Sequence, residues 1–169
     1  MADIKGNSDW SRLLWGFGGL AAGVFLVENR LAQAKKSKAE IEDPKQVKEV
    51  CCQIGELLEK WEPGEACETE DDFTDDLASY LEDNTEWEIE VYPTTHEGKP
   101  DILIGDLLAL ELKLGPSKGE SDRLIGQCSG YSREWVTWAV IIDASESIID
   151  RLVYLLEDKG LEQIAVWSI

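Results

Sequence analysis

Four polar residues punctuate two apolar runs between Lys99 and Tyr131: Asp101, Glu111, Lys113 and Gln127. Asp101 opens the first run, and Glu111 and Lys113 close the second, two residues apart. On a β-strand, residues two apart project from the same face. A carboxylate and an ammonium therefore leave the sheet side by side, with a second carboxylate one strand away. Two carboxylates on one face repel each other unless a cation sits between them, and hard oxygen ligands suit Mg²⁺ or Mn²⁺.

That convergence constrains the connection between the strands. Gly105-Asp106 is a strong turn signal. A two-residue turn there sets Asp101 opposite Leu110 and sends Glu111 to the other face. Convergence of Asp101 with Glu111 requires an odd loop or a bulge. The pattern predicts a three-residue loop from Gly105 to Leu107, or a bulge nearby.

Pro100-Asp101 followed by Glu111-Leu112-Lys113 resembles the signature of the PD-(D/E)xK nuclease superfamily, which has the restriction-endonuclease-like fold. Gln127 and Tyr131 add a Q-x-x-x-Y element similar to that of RecB-like exonucleases. The resemblance covers roughly Glu68 to Ile169, about 100 residues, the size of one domain. It implies an α/β fold, a central mixed sheet flanked by helices with an αβββαβ core, and Mg²⁺- or Mn²⁺-dependent hydrolysis of phosphodiester bonds, DNA favoured over RNA. It implies that Asp101, Glu111 and the backbone carbonyl of Leu112 hold the metal. Lys113 then stabilises the charge developing at the phosphate, Gln127 orients Lys113 or a phosphate, and Tyr131 contacts the nucleic-acid backbone or stacks on a base. An acid on the first helix of the superfamily assists the metal through water. Only Glu70 among the acids of that helix shares a face with Leu77 and Leu81, so Glu70 takes this role. The alternative is a non-catalytic module that keeps the fold for partner binding or assembly.

Charge weighs against a nucleic-acid partner. The formal net charge is −19, which repels polyanions at long range. Its distribution is uneven. Residues 37–98 carry four basic and twenty acidic groups, whereas residues 99–133 carry five of each. The motif stretch is an electrically neutral window in which Lys99, Lys118, Arg123 and Arg133 are candidates to meet phosphates. The four cysteines show no C-x-x-C spacing and read as reduced thiols of a cytoplasmic domain. His96 is the sole histidine; alone it cannot build a His-rich metal site, and in a loop before Gly98, away from the motif, it reads as a surface residue, so no Ser/His/Asp or Cys/His nucleophilic set is available.

The elements that must position these residues divide the chain into three parts. Residues 1–36 contain Leu13 to Val27, fifteen residues without a charge. That is short of the roughly 20 apolar residues of a full span. Three readings compete: a single-pass anchor holding the domain on the cytoplasmic face, a secretory signal ending at Ala32-Gln33-Ala34, and an apolar helix buried in a homo-oligomer or against the domain. Residues 37–67 read as a helical linker or extension, with Pro44 in a first helical turn and an apolar stripe from Val47 to Trp61. Residues 68–169 read as the nuclease-like domain. Within it the pattern predicts a helix from Glu68 to Leu81, a half-buried strand over Glu86–Tyr92, motif strands near 100–104 and 108–114, and a helix from a Ser121 cap to Trp135. A buried strand over 136–142, a helix over 145–158 and a strand over 164–169 follow.

Overall fold

The computed structural model describes residues 44–169. The segment Leu13–Val27 lies outside them, and among the described residues no helix is long and apolar enough to cross a membrane. The described chain is an α/β structure with four helices and an open five-stranded mixed sheet. In chain order the elements are α1 (Pro44–Leu58), α2 (Glu70–Asn84), β1 (Ile89–Val91), β2 (Ile102–Ile104), β3 (Leu108–Leu114), α3 (Lys118–Tyr131), β4 (Val136–Ile142), α4 (Glu146–Asp158) and β5 (Ala165–Ser168). The strands lie in the order of the chain; β1, β2 and β3 are antiparallel neighbours, and β3, β4 and β5 are parallel ones.

Helices cover both faces, which is why β3 and β4 are apolar almost throughout. On one face, Leu108, Leu110 and Leu112 of β3 and Trp138, Val140 and Ile142 of β4 pack in one core with α1 and α2. On the other, Ala139 and Ile141 pack with Leu124, Ile125 and Cys128 of α3 and Ile149, Leu152 and Leu156 of α4. The stripe Val47, Val50, Cys51, Ile54 and Leu58 on α1 belongs to the first core. The expected extension over residues 37–67 therefore contributes a core helix packed on the sheet, and the domain's interior begins well before Glu68.

Local chemistry sets the helix starts. Thr69 caps α2: its hydroxyl accepts from the Asp72 amide, and the Asp72 carboxylate accepts from the Thr69 amide in return. Glu70, Asp71 and Asp72 then fill the first turn, where the positive end of the helix dipole favours acids. The α3 cap is Ser117, paired with Glu120 in the same reciprocal way, one turn earlier than the Ser121 start read from the sequence. Ser121 is buried and its hydroxyl donates to the Ser117 carbonyl, so it cannot serve as the cap.

The hairpin between β2 and β3 has the expected three-residue loop. Ile104 pairs with Leu108, leaving Gly105, Asp106 and Leu107 between them. Gly105 and Asp106 both take left-handed conformations, at φ 57° and 54°. Gly105 also passes against the Trp87 ring, where a Cβ would lie 2.8 Å from Cε3. The β1 strand, Ile89–Val91, is shorter than the expected Glu86–Tyr92: residues 86–88 lie outside it, and at its other end Tyr92 turns left-handed at φ 52°.

Candidate metal centre

The site forms where β2 ends and β3 continues. Ile102 pairs with Leu110; one step further, the same register sets Asp101 opposite Glu111. Both then project toward the face covered by α3. Lys113 follows on that face, and Glu70 reaches it from the first turn of α2. The sequence-based set Asp101, Glu111, Lys113, Gln127 and Glu70 is thus brought together from four elements.

The end of β2 leaves the second half of β3 with backbone groups unpaired on that edge, and two carboxylates meet them. Asp101 Oδ2 accepts from the Leu112 amide at 2.7 Å, and Glu70 Oε2 accepts from the Leu114 amide at 3.5 Å. The Leu112 carbonyl leaves the strand on the same side as its amide. Carried two steps on, the register sets Pro100 opposite Leu112, and proline has no N–H to donate to that carbonyl. The proline of the Pro100-Asp101 pair therefore has a physical role: it keeps the Leu112 carbonyl clear of the ladder.

Glu111 is 1% exposed. Its Oε1 accepts from Gln127 Nε2 at 2.5 Å and lies 4.0 Å from Lys113 Nζ. Its Oε2 is buried without a hydrogen-bond partner. Burial, reinforced by the negative charge of Asp101, pushes the Glu111 carboxyl up to about 8. Burial also pushes Asp101 up to about 6, against the opposing pull of the Leu112 amide and Lys113. The Lys113 ammonium is itself largely buried and is paired with Glu70 through Oε1.

A divalent cation fits this donor set on chemical grounds. The atoms available are a partnerless carboxylate oxygen of Glu111, a carboxylate of Asp101 and the Leu112 carbonyl, all hard oxygens of the kind Mg²⁺ and Mn²⁺ take. Among the described residues, no three His, Cys, Asp or Glu side chains already converge on one point. The reason is visible in the hydrogen bonds: Lys113 occupies Glu70, Leu112 N–H occupies Asp101 Oδ2, and Gln127 occupies Glu111 Oε1.

Two expected roles differ in the structure. Gln127 orients Glu111 rather than Lys113, because one turn of α3 sets its amide over the buried carboxylate. Tyr131 is an interior residue, 3% exposed, packed with Leu103 and Ala109. Its hydroxyl donates to the Lys99 carbonyl at 3.0 Å. A ring so buried offers no face to a base; it ties the end of α3 to the segment leading into Asp101. Lys118 and Arg123 are exposed on α3, where they can meet a polyanion only at the rim.

Tyr92, beside the site, carries a signal that alternation does not reveal, and it sits with Lys99, already a candidate from the charge distribution. Tyr92 lies next to Asp101, its amide donating to the Asp101 carbonyl at 2.9 Å. The Lys99 ammonium lies over the Tyr92 ring, 4.7 Å from its centre. A bulky residue before a proline is normally held in extended conformation, so the sequence E-V-Y-P reads simply as a strand end.

No family model, curated protein or solved structure matches this chain.

Proposed function

We propose that this chain is a divalent-metal-dependent nuclease with a restriction-endonuclease-like core, hydrolysing phosphodiester bonds of nucleic acid, with DNA as the favoured substrate. The observation that carries the reading is half-buried Asp101 set opposite buried Glu111 by the β2–β3 register carried one step, with Lys113 on the same face and Glu111 Oε2 left without a partner. A buried carboxylate oxygen without a partner weakens a fold, and its retention makes sense where a cation supplies the missing contact. Asp101, Glu111 and the Leu112 carbonyl would hold the ion. When bound, Mg²⁺ or Mn²⁺ supplies Lewis acidity, acidifying water and neutralising charge on the phosphate.

The chain's own groups do the rest. Gln127 fixes the Glu111 carboxylate by donating to Oε1. Glu70 holds Lys113 beside Glu111, where its ammonium can donate to a non-bridging phosphate oxygen as negative charge builds there. Burial of Glu111 and Lys113 limits water around that charge and strengthens each contact. The net charge of −19 opposes a polyanionic substrate at long range; residues 99–133 are themselves neutral, and a cation at the site would offset the acids that α2 brings to it. Tethering to the cytoplasmic face of a membrane through residues 13–27 belongs to the same reading and rests on their apolar sequence.

A second reading is a non-catalytic module for assembly or partner binding. The Lys113–Glu70 pair favours it, since it neutralises part of the acidic cluster without a metal. The deciding experiment is cleavage by the full-length chain of linear, circular and branched DNA and of RNA, with Mg²⁺, Mn²⁺ or chelator, at low and high salt. Asp101→Asn and Lys113→Ala are assayed in parallel. The nuclease reading expects metal-dependent cleavage that each substitution lowers by roughly a hundredfold or more. Absence of cleavage under every condition, or equal cleavage by wild type and both variants, overturns it in favour of the assembly module.

A further inference from the structure

Tyr92 combines four features that packing alone does not require. Its backbone is left-handed at φ 52°, an uncommon conformation for a bulky side chain and more so before a proline. Such outliers persist where the surroundings over-determine them, and they concentrate at functional sites. Here the surroundings are explicit. The Tyr92 hydroxyl donates to Asp71 Oδ1 at 3.0 Å, and its amide donates to the Asp101 carbonyl at 2.9 Å. Lys99 is held in turn, its carbonyl accepting from the buried Tyr131 hydroxyl, while its ammonium lies over the Tyr92 ring. The ring is thus pinned at its tip and at its backbone, beside the carboxylate that leads the metal centre. It is only half-buried and keeps an accessible part.

We propose that Tyr92 and Lys99 form a nucleotide-binding platform next to the metal centre, the ring stacking on an unpaired base and the ammonium contacting the adjoining phosphate. The Lys99 ammonium lies over the ring, so a base takes that face as the flexible lysine swings to the adjoining phosphate; an aromatic face and a cation within reach of it hold single-stranded nucleic acid without reading its sequence. A duplex keeps its bases stacked inside, so the platform selects single strands, frayed ends or flaps. This deepens the nuclease reading and rests on it for the location of the scissile bond, but binding to the platform is measurable without cleavage.

The test uses the full-length chain and a fluorescein-labelled eight-nucleotide DNA single strand, with Ca²⁺ in place of Mg²⁺, and reads the dissociation constant by anisotropy. Tyr92→Asn removes the ring but tolerates the left-handed backbone, so the fold is kept; Tyr92→Phe keeps the ring and removes the hydroxyl. The expected result is roughly ten- to hundredfold weaker binding for Tyr92→Asn. Tyr92→Phe should bind within threefold of wild type, and Lys99→Ala should reduce the salt dependence by about one phosphate contact. Equal affinity of Tyr92→Asn and wild type, equal weakening by both Tyr92 variants, or no binding by wild type overturns the platform. Ring-dependent binding without cleavage by wild type under any metal would uphold the platform and remove the nuclease reading instead.

Discussion

Glu111→Gln should make the metal-free protein more stable at neutral pH, although it removes a residue at the centre of the proposed site. The Glu111 carboxyl is raised from 4.5 to about 8, mainly by burial. The folded state therefore holds its proton more tightly than the unfolded chain does. Stability from this group is intact below about pH 4.5 and declines as pH rises, until the folded carboxyl has ionised above pH 8. The loss amounts to about 3 kcal/mol at pH 7 and about 5 kcal/mol well above pH 8. Asp101, raised from 3.8 to about 6, adds a loss in the same direction that is nearly complete by pH 7, so the interval from pH 7 to 8.5 reports chiefly on Glu111. Glutamine at 111 keeps an acceptor for Gln127. Its amide group replaces the O–H that a protonated carboxyl already presents, so like replaces like. Urea unfolding in chelator at pH 5, 7 and 8.5 should show a variant more stable than wild type by about 3 kcal/mol at pH 7, or roughly 6–12 °C in Tm. The gap should close at pH 5 and widen at pH 8.5. Added Mg²⁺ should recover stability in the wild type and do nothing for the variant. A variant no more stable than wild type between pH 7 and 8.5 would mean that the Glu111 charge is already compensated within the fold. The case for a cation seat at Oε2 would then collapse.

Three further outcomes follow from the geometry. Gln127→Leu removes the donor to Glu111 Oε1 and should destabilise the protein by about 1.5–3 kcal/mol where the carboxylate is ionised, with a smaller effect at pH 5; paired unfolding curves at pH 5 and 9 check this. Gly105→Ala places a methyl group 2.8 Å from the Trp87 ring at φ 57°, and urea midpoints should show a loss of about 1–3 kcal/mol. Thr69→Ala removes the α2 cap for about 1 kcal/mol of stability. Because that cap fixes the turn carrying Glu70, the substitution should also loosen the Lys113 ammonium, visible as faster hydrogen exchange of its NH₃⁺ group by NMR.

Most of the strand and helix order was legible because apolar periodicity in this chain is clean. The run Val136–Ile142 is buried on both faces and carries no charge to interrupt it. The loop at Gly105–Leu107 was legible for a different reason: a chemical requirement, two carboxylates on one face, decided between an even and an odd turn. The limits are equally physical. Ser117 and Ser121 are both competent caps in sequence, and only the inward-facing environment of Ser121 distinguishes them. Helix α1 carries a full apolar stripe, but the motif begins after it, and a stripe does not say which sheet it covers. Tyr131 shares a helix face with Gln127, yet i, i+4 spacing cannot tell a ring that lines a site from one that packs beneath it.

The acidity of the chain acquires a structural meaning once these placements are known. Thr69, Ser117 and the first turns of α2 and α3 use acids as capping groups and dipole partners, and Asp76 accepts from the Trp61 indole. Apart from Glu70, which also reaches Lys113, these carboxylates have local work that involves no substrate. The acids at the β2–β3 edge differ in kind: Glu111 is buried and Asp101 half-buried, both are raised in pKa, and Glu111 leaves an oxygen without a partner. Surface acids that cap helices stabilise the fold, whereas buried acids of this second kind weaken it. Glu70 belongs to both sets, in the first turn of α2 and paired with Lys113 at the site; the other members keep stability and candidate chemistry on different carboxylates. Both sets together are a minority of the 35 acidic residues, so the net charge of −19 reflects mainly other carboxylates and says little against the chemistry of the second set.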